Sequence, residues 1–250
     1  MKLHKGTVFC CAGWLFAAVL ACLILLRTGN HFLHKLPSVQ HDIWTRILAG
    51  KKNEFASSWR DARPLIIMAG DSQVELGDWY GLFAGAFAIR NCGLSQAKIK
   101  DVTELVSVIA DRDPKMVVLM CGVNNLGRKD AVAACLNDYE QLLSVLHTSI
   151  RPQRIIVMSV MPVRETVFDR ASHELNRQIV VFDSQLEALS QRHKAEFVNV
   201  NPAVTDDHGG LAANLTMDGL HLNREGYKRL AGVLAPLFAN TNQPLVHGKN

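Results

Sequence analysis

The sequence predicts a three-layer doubly wound α/β fold, with a central, mainly parallel five-stranded sheet covered by helices on both faces. Three observations predict it. Short apolar runs recur without polar alternation, as in strands buried on both faces. Segments with apolar residues at helical spacing lie between them. The two kinds of segment alternate from Pro64 to the last helix, as βα units do.

The first run is Leu65-Ile66-Ile67-Met68-Ala69, bounded by Pro64 and Gly70. Ala86 to Arg90 is a fainter second strand. Met116 to Met120 is the third, Ile155 to Val160 the fourth and Phe197 to Val200 the fifth. Between the second and third strands, Ile99, Val102, Leu105, Val106 and Ile109 share a helix face. Val132, Cys135, Leu136, Tyr139, Leu142, Leu143 and Leu146 form the next helix. Leu175, Ile179, Phe182, Leu186 and Leu189 form another, and Tyr227, Leu230, Leu234 and Leu237 the last.

A chain of 250 residues holds one domain of moderate size and an appendage. Its 48% hydrophobic and 20% charged residues exclude a disordered chain. The net charge of +4 is mild, and no basic stripe with interleaved aromatics occurs, so no nucleic-acid partner is expected. No phosphate-binding glycine loop is present and no cofactor or metal is expected. Of the six cysteines, Cys10, Cys11 and Cys22 lie in the apolar N-terminal run. Cys92, Cys121 and Cys135 remain, without a CxxC pair, and read as small buried hydrophobes.

Val8 to Leu26 is uncharged and long enough to cross a bilayer as a helix. Its apolar residues continue through Leu23-Ile24-Leu25-Leu26, past the Val19-Leu20-Ala21-Cys22 stretch that loosely resembles a lipoprotein cleavage box. An uncleaved anchor is therefore expected rather than a signal peptide or lipoprotein leader. The short basic tail with Lys2 and Lys5 favours tail inside and domain outside. The expected organisation is an anchor over 1–27, a juxtamembrane connector with room for a helix over 28–63, a catalytic domain over 64–240 and a tail over 241–250. The lipid bilayer is then a partner, and the domain is periplasmic or otherwise extracytoplasmic.

Four short segments carry the chemistry. Gly70-Asp71-Ser72-Gln73 follows the first strand and places Ser72 near the start of a helix, where its N–H points outward. Alone, Ser72 reads first as a helix N-cap. Asn91-Cys92-Gly93 follows the second strand, and its Gly could be a plain turn residue. Gly122-Val123-Asn124-Asn125 follows the third; the amide of Asn124 can donate to an oxyanion without proton transfer. Asp218-Gly219-Leu220-His221 precedes the last helix, and one short loop can present both side chains to the same point. There His221 would serve as base and Asp218 as its orienting carboxylate. In open α/β sheets, sites form outside the carboxyl ends of strands, where the first three segments fall. Asp206, Asp207 and His208 suggest a metal but lack further ligands, and read as a solvated loop. Asn214-Leu215-Thr216 matches a glycosylation sequon, a triplet that arises often by chance.

In order and spacing these segments resemble the SGNH hydrolases, also called GDSL-type esterases, from about Leu65 to about Leu237. The wording is nearest to the platelet-activating-factor acetylhydrolase-like branch. The resemblance implies a flavodoxin-like fold with Ser72, Asp218 and His221 as the catalytic set. It assigns the oxyanion hole to the N–H groups of Ser72 and Gly93 and the amide of Asn124. Two positions depart from the usual pattern: Gln73 stands where an aliphatic residue is common, and Asn125 where Asp is more frequent. The implied activity is hydrolysis of a short-chain or acetyl ester through an acyl-serine. A membrane-anchored polysaccharide O-acetyltransferase or deacetylase, and a non-catalytic glycan-binding or assembly protein, are the other readings.

Overall fold

Buried strands explain the apolar runs. In the computed structural model the sheet consists of β1 (Ile66–Gly70), β2 (Ile89–Gly93), β3 (Met116–Met120), β4 (Arg154–Met158) and β5 (Glu196–Val198). Every pairing is parallel and the order is β2-β1-β3-β4-β5. The structure describes residues 37–57, 66–110 and 113–239, the side chains of 37–39 and 166–170 excepted. The expected anchor Val8–Leu26, Leu65 and the tail 241–250 lie outside the described residues. Among the described residues no helix is long and apolar enough to cross a membrane.

Every residue of β1 and β3 is buried. The edge strands β2 and β5 are only partly covered, so their sequence signal is faint. This corrects the second strand: it lies three residues beyond the expected Ala86–Arg90. Its register with β1 runs from Ile66 opposite Ile89 to Gly70 opposite Gly93. An edge strand tolerates polar Arg90 and Asn91, which apolar pattern-matching passes over.

The helices are α1 (Pro37–Ser57), α2 (Ser72–Glu75), α3 (Trp79–Leu82), α4 (Ile99–Ser107), α5 (Val123–Gly127), α6 (Val132–Val145), α7 (Glu165–Arg192), α8 (Asn201–Val204) and α9 (Arg224–Ala239). A π-helical turn, Leu146–Ile150, extends α6. The long helices bury the predicted periodic residues: Ile99, Val102, Leu105 and Val106 on α4, and Ile179, Phe182, Leu186 and Leu189 on α7. α2, α3, α5 and α8 are too short to show a period.

Two compact units divide at Gly50 and Lys51. The described part of the first is the α1 stretch up to Gly50. In the second, Lys51 Nζ lies 3.2 Å from Glu75 Oε1 and Lys52 Nζ 3.4 Å from Glu104 Oε2. Successive strand residues face opposite sides of the sheet. On one side Ile66, Met68, Met116, Val118, Ile156 and Met158 pack in a single cluster with Trp79, Phe83, Leu230, Leu234 and Phe238. Ile67, Ala69, Val117, Leu119, Ile155 and Val157, the alternate residues, are buried as well. Both faces are therefore covered, as three layers require. After β1 the chain crosses to β2 on one side, then to β3 on the other, which opens a crevice at the carboxyl ends of these strands.

Candidate active site

Ser72 is placed by a close approach of β1 and β3. A Cβ at Gly70 would lie 1.9 Å from the Met120 carbonyl oxygen, so only glycine fits where the strands end. The next residue, Asp71, caps α2: its Oδ1 accepts from Gln73 N–H at 3.0 Å. Ser72 thus becomes the first residue of α2, 7% exposed. Its N–H has no hydrogen-bond partner among the described residues.

The base arrives on a tightly braced loop. Asp218 Oδ1 accepts from the N–H groups of Leu220 (2.9 Å) and His221 (2.7 Å), while Oδ2 lies 2.6 Å from His221 Nδ1. Thr216 Oγ1 donates to the His221 carbonyl at 2.7 Å and accepts from Gly219 N–H at 2.9 Å. Arg164 N–H donates to the Gly219 carbonyl at 2.8 Å. This folding brings His221 Nε2 to 2.9 Å from Ser72 Oγ, across 149 residues of sequence. Ser72, His221 and Asp218 form one hydrogen-bonded chain, as the sequence predicts. The geometry permits proton transfer from the hydroxyl to the imidazole.

Electrostatics separate the two carboxyls of this region. Burial would raise Asp218, but the hydrogen bonds from the His221 ring and the N–H groups of His221 and Leu220 outweigh it and lower the carboxyl to about 2. It is therefore ionised at neutral pH and holds the proton of the imidazole on Nδ1. Asp71 goes the other way. Burial pushes it up to about 7, against the N–H of Gln73 and the charge of His221. Its contacts are those of a turn brace.

Gly93 has a steric part in the site. A Cβ there would lie 2.2 Å from Glu75 N, so glycine lets β2 press against α2. Its N–H donates to Asn91 Oδ1 at 3.0 Å. Asn91 Oδ1 thereby fixes the orientation of the N–H that the resemblance assigns to the oxyanion hole. Asn91 braces the end of α2 as well, its Nδ2 donating to the carbonyls of Val74 (2.9 Å), Glu75 (3.0 Å) and Gly77 (3.2 Å).

The loop after Gly93 is tied to Asn124. Gln96 is exposed and left-handed at φ 67°, and its N–H has no partner among the described residues. The neighbouring Ala97 carbonyl accepts from Asn124 Nδ2 at 3.1 Å. That bond uses one of the two amide hydrogens of Asn124 and leaves the second. β1 and β3 end level, Gly70 opposite Met120, so Ser72 and Asn124 both start just beyond adjacent strand ends. Asn125 turns inward: its Oδ1 accepts from Ile99 N–H (3.0 Å) and its Nδ2 donates to Asp130 Oδ2 (2.9 Å). The departure from the usual Asp thus falls on a residue that ties two loops together.

Gln73, the other departure, is 4% exposed and spans the site. Its Nε2 donates to the Leu220 carbonyl at 2.6 Å, next to His221, and its own carbonyl accepts from Tyr227 Oη at 2.9 Å. Its Oε1 has no partner within the described protein. The apolar periodicity of α9 placed Tyr227 in the core but gave no sign of this second contact.

The remaining sequence candidates are structural. Asp206 Oδ1 accepts from the N–H groups of His208 (3.0 Å) and Gly210 (3.2 Å), closing a turn. Thr216 of the sequon braces the His221 loop. Among the described residues Cys92, Cys121 and Cys135 are free and buried. Burial raises all three thiols, Cys92 to about 12 and Cys135 to about 11.

Residues 67–229 match the GDSL-like Lipase/Acylhydrolase family, nearly two thirds of the chain. The chain belongs to that family. It is accordingly a hydrolase acting on ester bonds. It is similar to the platelet-activating factor acetylhydrolase IB subunit alpha2 of Rattus norvegicus, at 21% identity over 74% of this chain and 81% of that one. The fold is shared with a Streptococcus pneumonia protein named for platelet activating factor: TM-score 0.67, 24% identity, 81% of this chain and 99% of that one. It is shared too with a GDSL-like lipase of Bacteroides thetaiotaomicron, at TM-score 0.65 and 19% identity, over 77% and 98% of the two chains.

Proposed function

We propose that the chain cleaves a carboxylic ester through an acyl-serine at Ser72. The observation that carries this reading is the continuous contact from Ser72 Oγ through His221 to Asp218, at 2.9 and 2.6 Å. Ser72 Oγ attacks the carbonyl carbon as its proton passes to His221 Nε2. The bond to the alcohol breaks, and the leaving oxygen takes that proton. Water then attacks the acyl-serine, gives a proton to His221, and frees the acid and Ser72 Oγ–H. Asp218 stabilises the imidazolium formed in each half. The oxyanion is met by the free N–H of Ser72 and the second amide hydrogen of Asn124. The N–H of Gly93, oriented by Asn91 Oδ1, is the third donor. Such donors are effective because they are fixed before charge develops.

The uncharged run Val8–Leu26, which lies outside the described residues, anchors the chain in a bilayer with the catalytic domain on the extracytoplasmic side. Its length and the preceding Lys2 and Lys5 support this.

The test is p-nitrophenyl acetate hydrolysis by the full chain beside Ser72→Ala. Steady turnover that disappears in Ser72→Ala is expected. Equal turnover by both proteins, or none by a folded wild type, contradicts the reading.

A further inference from the structure

Two clefts flank the His221 loop. Leu220 lines one and Leu222 the other, so the loop separates them. The first has a volume of about 520 Å³ and Asn124 in its wall. Val123, Leu126, Val163, Leu175 and Leu220 make the rest of that wall largely apolar. The second sets Asp78, Arg224 and Lys228 beside Leu76, Leu82 and Met217, and so mixes charged with apolar side chains.

We infer that the first cleft is the acyl subsite and that the substrate carries an unbranched chain of roughly six to ten carbons rather than an acetyl group. The inference rests on the esterase reading above. Two residues of its wall assign the cleft. Leu220, the neighbour of His221, lines it, which sets the cleft beside the base. Asn124, the proposed oxyanion donor, lines it as well, whereas neither Asn124 nor Leu220 lines the second cleft.

Size and chemistry then set the substrate class. The nine carbons of a decanoyl chain beyond its carbonyl need about 270 Å³, taking about 30 Å³ for each group of water size. An acetyl methyl would touch little of the apolar wall. Each methylene buried there raises transition-state binding by up to about fourfold. Arg128 and Lys129 lie in the lining but are exposed. The less exposed wall combines Val123, Leu126, Val163, Leu175 and Leu220 with Ser172 and Gln178.

The experiment measures kcat/KM of the full chain, Ser72→Ala and Leu175→Trp on p-nitrophenyl acetate, butyrate, hexanoate, octanoate and decanoate. Leu175 is half-buried on α7, and Trp there narrows the cleft. The expected result is a rise of at least about tenfold from acetate to octanoate, with the octanoate-to-acetate ratio falling at least about tenfold in Leu175→Trp. Fastest turnover of acetate, still dependent on Ser72, overturns the subsite and leaves the esterase reading standing. So does a chain-length ratio that Leu175→Trp does not change. Absence of Ser72-dependent turnover on every ester overturns the esterase reading and the subsite with it.

Discussion

Replacing Gln73 with Met should separate activity from stability. The substitution keeps a long unbranched side chain in a buried place and removes both amide atoms. On the stability side two effects oppose. The bond from Nε2 to the Leu220 carbonyl, 2.6 Å, is lost, worth about 0.5–1.5 kcal/mol for a neutral pair. The buried Oε1, which no protein donor meets, is lost too, and relief of an unsatisfied acceptor is worth about 1–3 kcal/mol. The Leu220 carbonyl is left without that donor, which offsets the relief, so the melting temperature should stay within roughly 5 °C of the wild type. On the activity side only the tether acts. Without it the His221 loop still has Thr216, Asp218 and Arg164 to hold it. The base should drift by a fraction of an ångström, and kcat should fall about tenfold, or about 1.4 kcal/mol in the barrier. KM should stay within about twofold, since the reacting geometry and not binding is disturbed. Steady-state kinetics on one ester and a thermal melt read both quantities. An unchanged kcat would refute the tether, and a parallel loss of kcat and melting temperature would make Gln73 a packing residue only.

Three further outcomes follow from particular contacts. Asn124→Ala should lower kcat by about 10²–10³, and a change below about threefold would remove Asn124 from the oxyanion site. Gly93→Ala retains its N–H but sets a Cβ 2.2 Å from Glu75 N; it should lose about 1–3 kcal/mol of stability in urea unfolding, and an unaltered midpoint would show that β2 and α2 are not in such close approach. Asp183 accepts from Val160 N–H and Asn201 Nδ2, and burial lifts it from the ordinary 3.8 to about 7. Between about pH 4 and 7 the folded chain then holds a proton that the unfolded chain has released, so stability falls as pH rises through that window. Asp71 adds a slope of the same sign, so Asp183→Asn should reduce the decline between about pH 4 and 7 without abolishing it; an unchanged slope in urea midpoints would contradict the shift.

Sequence made the interior legible and left the edges faint. β1 and β3 are buried throughout, so their apolar runs mark them to within a residue of their ends. β2 is read through Arg90 and Asn91, whose place is fixed by pairing with β1 rather than by hydrophobicity. The four short helices beyond strand ends carry too few residues for a period, yet α2 and α5 hold Ser72 and Asn124. What made those residues visible was their chemistry. The Ser72, Asp218 and His221 contact was legible because the residue types are rare in such order and the last two are neighbours on one loop. The parts that escaped notice depend on backbone atoms. Nothing in Asn91-Cys92-Gly93 says that the Gly93 N–H turns to Asn91. The reach of Gln73 to Leu220 joins positions 147 residues apart, which no local pattern encodes.

The central claim is that Ser72 is the nucleophile activated by His221. Its most direct measurement is intact-protein mass after treatment with a fluorophosphonate, which traps an activated serine covalently. The account predicts a single adduct per chain, mapped by peptide sequencing to Ser72, absent in Ser72→Ala and formed much more slowly in His221→Ala. A folded wild-type chain that stays unlabelled, or one labelled at another residue while Ser72 remains free, would contradict it.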